Sequence, residues 1–296
     1  MHSSSANGNV MVQLNGAWHS DPLARAAGLT ARVAGAGPEV VLVHGSLGDY
    51  RQWEPFADAL RGRYAMVAVS RRWHWPYPAS SSSVPYTYEA HRDDLLQYLR
   101  ARGGRVHLVG HSYGAGIVLL AALAEPSLIR TLVLIEPAFN SLLPDGAPGL
   151  DEELASRSSM LADVRSLAQR GDAAAAGRRL IDWVQGGEGG FAGLPDWVQA
   201  ALLDNAITAG PTIGHAPPEV TCARLRDVRM PTLVVTGERT RLYYRLIAER
   251  VACCVPGAAS VTLNDAAHMT IVERPADAAG LISSFLTDRD ADAPVR

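Results

Sequence analysis

Six short apolar runs, separated by helical patterns, constrain the fold of this chain more than any other feature. They are "EVVLVHG" (39–45), "YAMVAVS" (64–70), "RVHLVG" (105–110), "TLVLIE" (131–136), "PTLVVTGE" (231–238) and "SVTLND" (260–265). They are rich in β-branched and other apolar residues and lack polar alternation. Strands of that kind are covered on both faces, as the strands of a parallel sheet are. Helical patterns occupy 50–61, 87–102, 113–125, 241–254 and 275–287. Repeated strand–helix alternation predicts an α/β fold, a mostly parallel, doubly wound sheet with right-handed crossovers and helices on both faces.

One stretch breaks the alternation. Residues 138–220 hold no strand-like run, only helical pieces such as "ADVRSLAQRGDAAAAGRRLIDWVQ", the segment "GGEGGFAGLPDW" and a short helix near 196–207. A structureless loop of that length is uncommon, so this insert is expected to form a helical cap over one edge of the sheet. The core then comprises 21–137 and 221–290, with a flexible tail over 1–20 and another over 291–296. "PASSSSVP" (78–85) is expected to be a flexible surface loop.

Composition narrows the function classes. The 296 residues suit one large domain or a domain plus a subdomain, and the formal net charge is −3 with no basic face, which argues against nucleic acid and acidic membranes as partners. No apolar run approaches the ~20 residues that span a bilayer. The N-terminal "MHSSSANGNV" lacks the basic start and apolar core of a secretory signal. Cys222, Cys253 and Cys254 fit no metal spacing, and the adjacent pair could hardly bridge without strain, so a reduced, cytoplasmic chain is expected.

The chemistry concentrates in "VHLVGHSYGAGIVLL" (106–120). A strand that runs directly into a helix must reverse within a few residues. The residue at the apex is forced into a strained conformation, and its neighbours must be small for strand and helix to approach. Gly110-His111-Ser112-Tyr113-Gly114 fits this G-x-S-x-G pattern, and its apex side chain projects at the carboxyl end of the sheet. Ser112 is therefore the expected nucleophile. The bland alternative, a glycine-rich helix start that holds phosphate, does not fit, because the spacing matches neither nucleotide-binding fingerprint.

A serine hydroxyl needs a base. In "LNDAAHMTIVERP", His268 follows the last strand and precedes the last helix, and no other histidine follows a terminal strand in this way. His111 flanks the nucleophile, where packing is the expected role. Attack on a carbonyl generates an oxyanion, which needs preplaced donors. The expected pair is the backbone N–H of Tyr113 and that of Ser46, in the turn after "EVVLVHG", with Leu47 the nearest competitor. The third member orients the imidazole. Glu136 ends an apolar strand, an expensive place for a carboxylate without a partner, and protonated His268 would be such a partner. Glu238, directly after Gly237, is the alternative acid.

These residues together resemble the α/β-hydrolase family, over residues 35–288 and through "HGSLGD", "GHSYG", "LVLIEP", "TGERT" and "DAAHM". The resemblance implies an eight-stranded, mostly parallel sheet, a Ser–His–acid triad and no cofactor. A glutamate after the sixth strand is similar to the arrangement in zearalenone-type lactone hydrolases, which hints at lactonase chemistry. The expected function is cleavage of a carboxylic ester or lactone through an acyl-enzyme. A carbon–carbon bond hydrolase or cyclase using the same pocket, and a non-catalytic ligand-binding protein, are the alternatives. Expected substrate contacts are Trp183 from the cap, Leu47, and Trp73 from "SRRWHWPYP" (70–78), whose Arg71, Arg72 and His74 rim the pocket or pair with acids at the surface. Such a pocket suits an apolar or aromatic small molecule of moderate size better than a highly charged one. A homodimer stays open.

Overall fold

A computed structural model describes residues 18–77 and 83–291. Eight strands form one sheet: β1 (His19–Ser20), β2 (Thr30–Ala34), β3 (Glu39–Val43), β4 (Ala65–Ser70), β5 (Val106–His111), β6 (Ile129–Ile135), β7 (Thr232–Gly237) and β8 (Ala259–Leu263). Their spatial order is β1-β2-β4-β3-β5-β6-β7-β8. The β1–β2 and β2–β4 pairings are antiparallel, and every pairing from β4 through β8 is parallel. All six strands expected from the sequence are present, each within two residues of its expected ends.

The helices are α1 (Pro22–Ala26), α2 (Glu54–Asp58), α3 (Tyr88–Arg102), α4 (Tyr113–Ala124), α5 (Leu150–Gln169), α6 (Ala173–Val184), α7 (Asp196–Asp204), α8 (Ala209–Gly214), α9 (Cys222–Leu225), α10 (Leu242–Cys254), α11 (Thr270–Glu273) and α12 (Pro275–Ala291). Thr87 starts α3 as an N-cap, its hydroxyl accepting the Ala90 N–H, and Gly103 ends it in the left-handed conformation. The apolar helix α4 packs beside β5 at the centre of the molecule and is buried along most of its length. Helices α5 to α9 lie between β6 and β7, and α5 to α8 fall within the stretch where the sequence predicts helices and no strand.

Three expectations need correction. The N-terminal tail was expected to run through residue 20, but His19 and Ser20 pair with Val33 and Arg32 as an edge strand. Neither β1 nor β2 is marked by an apolar run, because one is two residues long and the other, "TARVA", carries an arginine that interrupts it. The helix expected over 50–61 is a 3-10 turn, Tyr50–Trp53, followed by the short α2. The chain is not wholly reduced. A disulfide joins Cys222, at the start of α9, to Cys254, at the end of α10, with Cα atoms 5.1 Å apart, and Cys253 is free and exposed. The two partners lie 32 residues apart, and nothing in their local sequence signals the pairing. Most of the segment expected as a loop over 78–85, most of the N-terminal tail and all but one residue of the C-terminal tail lie outside the described residues. Among the described residues, no helix is long and apolar enough to cross a membrane.

Candidate active site

The parallel strands deliver their carboxyl ends to one rim, and the register there aligns the reactive groups. Gly110 and His111 on β5 sit opposite Leu134 and Ile135 on β6, and Ile135 sits opposite Val235 on β7. The ladder continues one residue past each strand: the Ser112 N–H donates to the Ile135 carbonyl at 2.8 Å, and the Glu136 N–H donates to the Val235 carbonyl at 2.9 Å. Ser112 and Glu136 therefore leave the sheet side by side.

Both leave it with strained backbones, φ 53° at Ser112 and φ 52° at Glu136, a region that non-glycine residues rarely occupy. At Ser112 the strain follows from crowding. A Cβ on Gly114 would press into the carbonyl oxygens of Val43 and His44, and one on Gly110 would lie 2.6 Å from the Gly114 carbonyl oxygen. With both glycines in place, α4 starts directly after β5, and its first amides, Tyr113 among them, have no partner within the helix.

Ser112 Oγ lies 2.9 Å from His268 Nε2, and His268 Nδ1 lies 3.1 Å from Glu136 Oε2. The carboxylate accepts, so Nδ1 carries the proton and Nε2 presents a lone pair to the serine hydroxyl. Glu136 is fully buried and accepts two further hydrogen bonds, from the Gly237 N–H at 2.7 Å and the Thr240 hydroxyl at 2.5 Å. Burial pushes its carboxyl upward, and these two donors pull it partly back. Burial alone pushes the His268 imidazole down, so it is neutral and able to accept a proton at neutral pH. Glu238 stands apart: its side chain is exposed and accepts the Asp265 N–H at 3.0 Å, bracing the loop that carries His268. Of the two acids considered from the sequence, Glu136 is the one that faces the imidazole.

Several supports were not legible in the sequence. The Tyr244 ring lies 4.1 Å from the His268 ring. The His111 Nε2–H donates to the His268 carbonyl at 2.9 Å, so His111 holds the loop from below, in keeping with its expected packing role. Gln185, at the end of α6, accepts the Met269 N–H at 2.9 Å and ties the insert to the same loop. Gly237 lets that loop cross β7, since a Cβ there would press into the carbonyl oxygens of Ala266 and Ala267.

The turn after β3 is held by buried cationic and aromatic side chains. The Gly45 carbonyl accepts from His44 Nδ1–H at 2.9 Å and from Arg71 Nη2 at 3.0 Å, while His44 Nε2 accepts the Arg71 N–H. In a trans peptide the carbonyl and the following N–H point in opposite directions. Anchoring the Gly45 carbonyl on Arg71 therefore turns the Ser46 N–H the other way, and Ser46 lines the same cavity as Ser112 and Tyr113. Arg71 is buried and has no carboxylate partner among the described residues. It lies instead against the Tyr113 ring, 4.7 Å from its centroid.

The cavity in front of Ser112 has a volume of about 360 Å³ and draws its walls from the core and from α5, α6 and α8. Trp183 lines it, as expected, and its indole N–H donates to the Ser156 hydroxyl at 3.0 Å. Two expected contacts are corrected. Leu47, with φ 57°, is fully buried and packs toward Gly177 of α6, outside the cavity lining. Trp73 lines a separate cavity beside Ala206 and Pro211. Nor do Arg72 and His74 rim the site: Arg72 pairs with Asp94 at 2.7 Å, and His74 is buried between the Gly48 carbonyl and the Tyr86 hydroxyl. Among the described residues no group of His, Cys, Asp and Glu side chains could hold a metal ion.

Comparison with known proteins bears on the family and the fold. Over 275 residues the chain is 27% identical to a 2-(acetamidomethylene)succinate hydrolase of Mesorhizobium japonicum, covering 87% of this chain and 91% of that one. It is 24% identical over 268 residues to carboxylesterase YbfK of Bacillus subtilis, covering 84% of this chain and 80% of the relative. The crystal structure of that carboxylesterase superposes with a TM-score of 0.70 and covers 88% of both chains; its 20% identity in the superposition shows the fold alone. A crystal structure of an alpha/beta hydrolase from Sphaerobacter thermophilus, 25% identical, superposes with a TM-score of 0.65 and covers 87% of this chain and 96% of that one. The family model described as "Alpha/beta hydrolase family" matches residues 40–281, which takes in the serine turn, the glutamate after β6 and the histidine after β8: the chain belongs to the alpha/beta hydrolase family.

Proposed function

We propose that this hydrolase cleaves a carboxylic ester or lactone of moderate size and largely apolar or aromatic character through an acyl-enzyme on Ser112. The observation that carries the reading is the continuous hydrogen-bonded line Ser112–His268–Glu136, with its serine end on a cavity and its glutamate end buried. The carboxylesterase among its relatives supports ester chemistry.

In this reading the Ser112 oxygen attacks the substrate carbonyl while its proton passes to His268 Nε2. Glu136 stabilises the imidazolium and keeps Nδ1–H directed at itself. Negative charge that develops on the carbonyl oxygen is met by the N–H groups of Ser46 and Tyr113, already oriented before substrate arrives. The imidazolium then gives its proton to the leaving oxygen as the carbon–oxygen bond breaks. Water repeats the sequence on the acyl-enzyme: His268 takes its proton, the hydroxide adds to the carbonyl, and Ser112 leaves with a proton returned from Nε2. Arg71 and His44 are positioning residues here, because they act on the Ser46 amide through the Gly45 carbonyl. Trp183 contributes an apolar wall for the substrate.

A substrate panel tests this reading. p-Nitrophenyl butyrate, an aryl-substituted lactone and a β-diketone are incubated with the purified chain, and products are separated by mass. Release of p-nitrophenol and opening of the lactone are expected. Cleavage confined to the β-diketone would instead assign carbon–carbon bond hydrolysis, and no cleavage of any of the three would favour a ligand-binding protein.

A further inference from the structure

The cavity lining is unbalanced in charge. It includes Arg157 and Arg165 and not one aspartate or glutamate. Both arginines lie on α5, two turns apart on the face that also presents Met160 and Leu161 to the cavity. A helical arginine commonly finds a carboxylate one turn away, and Glu153 stands at that position from Arg157. That carboxylate is taken. Both oxygens of Glu153 accept from Arg241, at 2.7 and 2.8 Å. The other nearby acid of α5, Asp163, accepts from Arg179 at 2.9 Å. Among the described residues neither Arg157 nor Arg165 has an ion pair or hydrogen bond to a carboxylate.

Arg157 is held where it can meet a ligand. Its guanidinium lies over the Tyr243 ring at 4.9 Å, and Tyr243 lies edge-on to Tyr244, whose ring packs against His268. Two aromatic rings thus separate Arg157 from the imidazole. The Tyr243 hydroxyl donates to Asn140 Oδ1 at 2.5 Å. Asn140 also lines the cavity, and with its acceptor engaged its amide NH2 is the group left to donate. This end of the cavity therefore offers a planar guanidinium fork and an amide donor beside an aromatic floor, with no competing acid. Such a set matches a carboxylate. Arg165, exposed at the mouth, adds positive potential along the approach.

We propose that the substrate carries one carboxylate at the end remote from its scissile bond, bound by Arg157 and Asn140, with an apolar body between. In chemical terms this is a half-ester of a dicarboxylic acid or a lactone with a carboxylate side arm. The proposal rests on the hydrolase reading for the word substrate, and its test does not depend on turnover.

The test uses the Ser112→Ala chain, which leaves ligand intact, and two probes that differ by one ester methyl and the charge it removes, monomethyl suberate and dimethyl suberate. Binding is followed by titration calorimetry at low and high salt. The half-ester is expected to bind about tenfold more tightly than the diester, a difference of about 1.4 kcal/mol. That preference is expected to shrink in high salt. Adding Arg157→Gln should bring the two affinities to within about threefold, Arg157→Lys should retain part of the preference, and Arg165→Gln should have the smaller effect. Circular dichroism on each variant checks that the fold persists. Equal binding of the two probes, tighter binding of the diester, no binding of either, or a preference that survives Arg157→Gln would overturn the proposal. A native chain that shows the charge preference but hydrolyses no ester or lactone would remove the hydrolase reading alone.

Discussion

Replacing Ser112 by Ala is expected to lower kcat for p-nitrophenyl butyrate by about 10⁴-fold or more while leaving the thermal unfolding midpoint at or above that of the native chain. The size follows from the position of the oxygen. Among the described residues its one hydrogen bond to a side chain is to His268 Nε2, and no other hydroxyl is hydrogen-bonded to that nitrogen to substitute as nucleophile. The stability expectation follows from the backbone. The fold tolerates φ 53° at residue 112, and removing the hydroxyl adds no bulk to the crowded turn between Gly110 and Gly114. Initial rates with stopped-flow detection, read beside a thermal melt, check both halves. A variant that loses less than tenfold in kcat would mean that another group does the attacking.

The second large effect concerns the buried acid. Glu136→Gln is expected to reduce kcat about 10²- to 10⁴-fold, and Glu238→Gln to stay within about threefold of native. The carboxylate at 136 accepts from three donors: His268 Nδ1–H, the Gly237 N–H and the Thr240 hydroxyl. An amide supplies one acceptor oxygen and places an NH2 group against donors, so the imidazole is pushed toward the wrong tautomer and a buried donor is left unpaired. The same mismatch should cost about 1–3 kcal/mol of stability, visible as a lower midpoint in urea. Glu238 has none of this burial, and its carboxylate serves a loop N–H that water can also satisfy. If Glu238→Gln proved severe and Glu136→Gln mild, the assignment of the acid would be reversed.

These expectations rest on features that differ in how far the sequence discloses them. The serine turn was legible because it is local: two glycines flank the apex, a strand precedes it and a helix follows. The histidine was legible from its place after the last strand. Glu136 was legible as a carboxylate at the end of an apolar run, where burial without a partner would be costly. The charged and aromatic segment after β4 was not. Nothing local distinguishes Arg71 from Arg72, yet the first is buried against Tyr113 and the Gly45 carbonyl, and the second pairs with Asp94. The difference is set by elements far away in the chain. Trp73 was misplaced for the same reason, since which cavity it meets depends on where residues 206–211 return. Leu47 was misread because its left-handed backbone turns the side chain into the core beneath α6. The Cys222–Cys254 bridge depends on α10 returning its last turn to α9, a tertiary contact without a sequence signature.

Reaction of the native chain with a fluorophosphonate, followed by peptide mass spectrometry, reads the reactivity of the Ser112 hydroxyl itself, because the probe phosphonylates a serine whose proton a neighbouring base can take. A single adduct is expected on the peptide that holds Ser112, formed rapidly at neutral pH and lost in His268→Ala. An unmodified Ser112 under conditions that label a known serine esterase to completion, or an adduct on a different residue, would contradict Ser112 as the nucleophile.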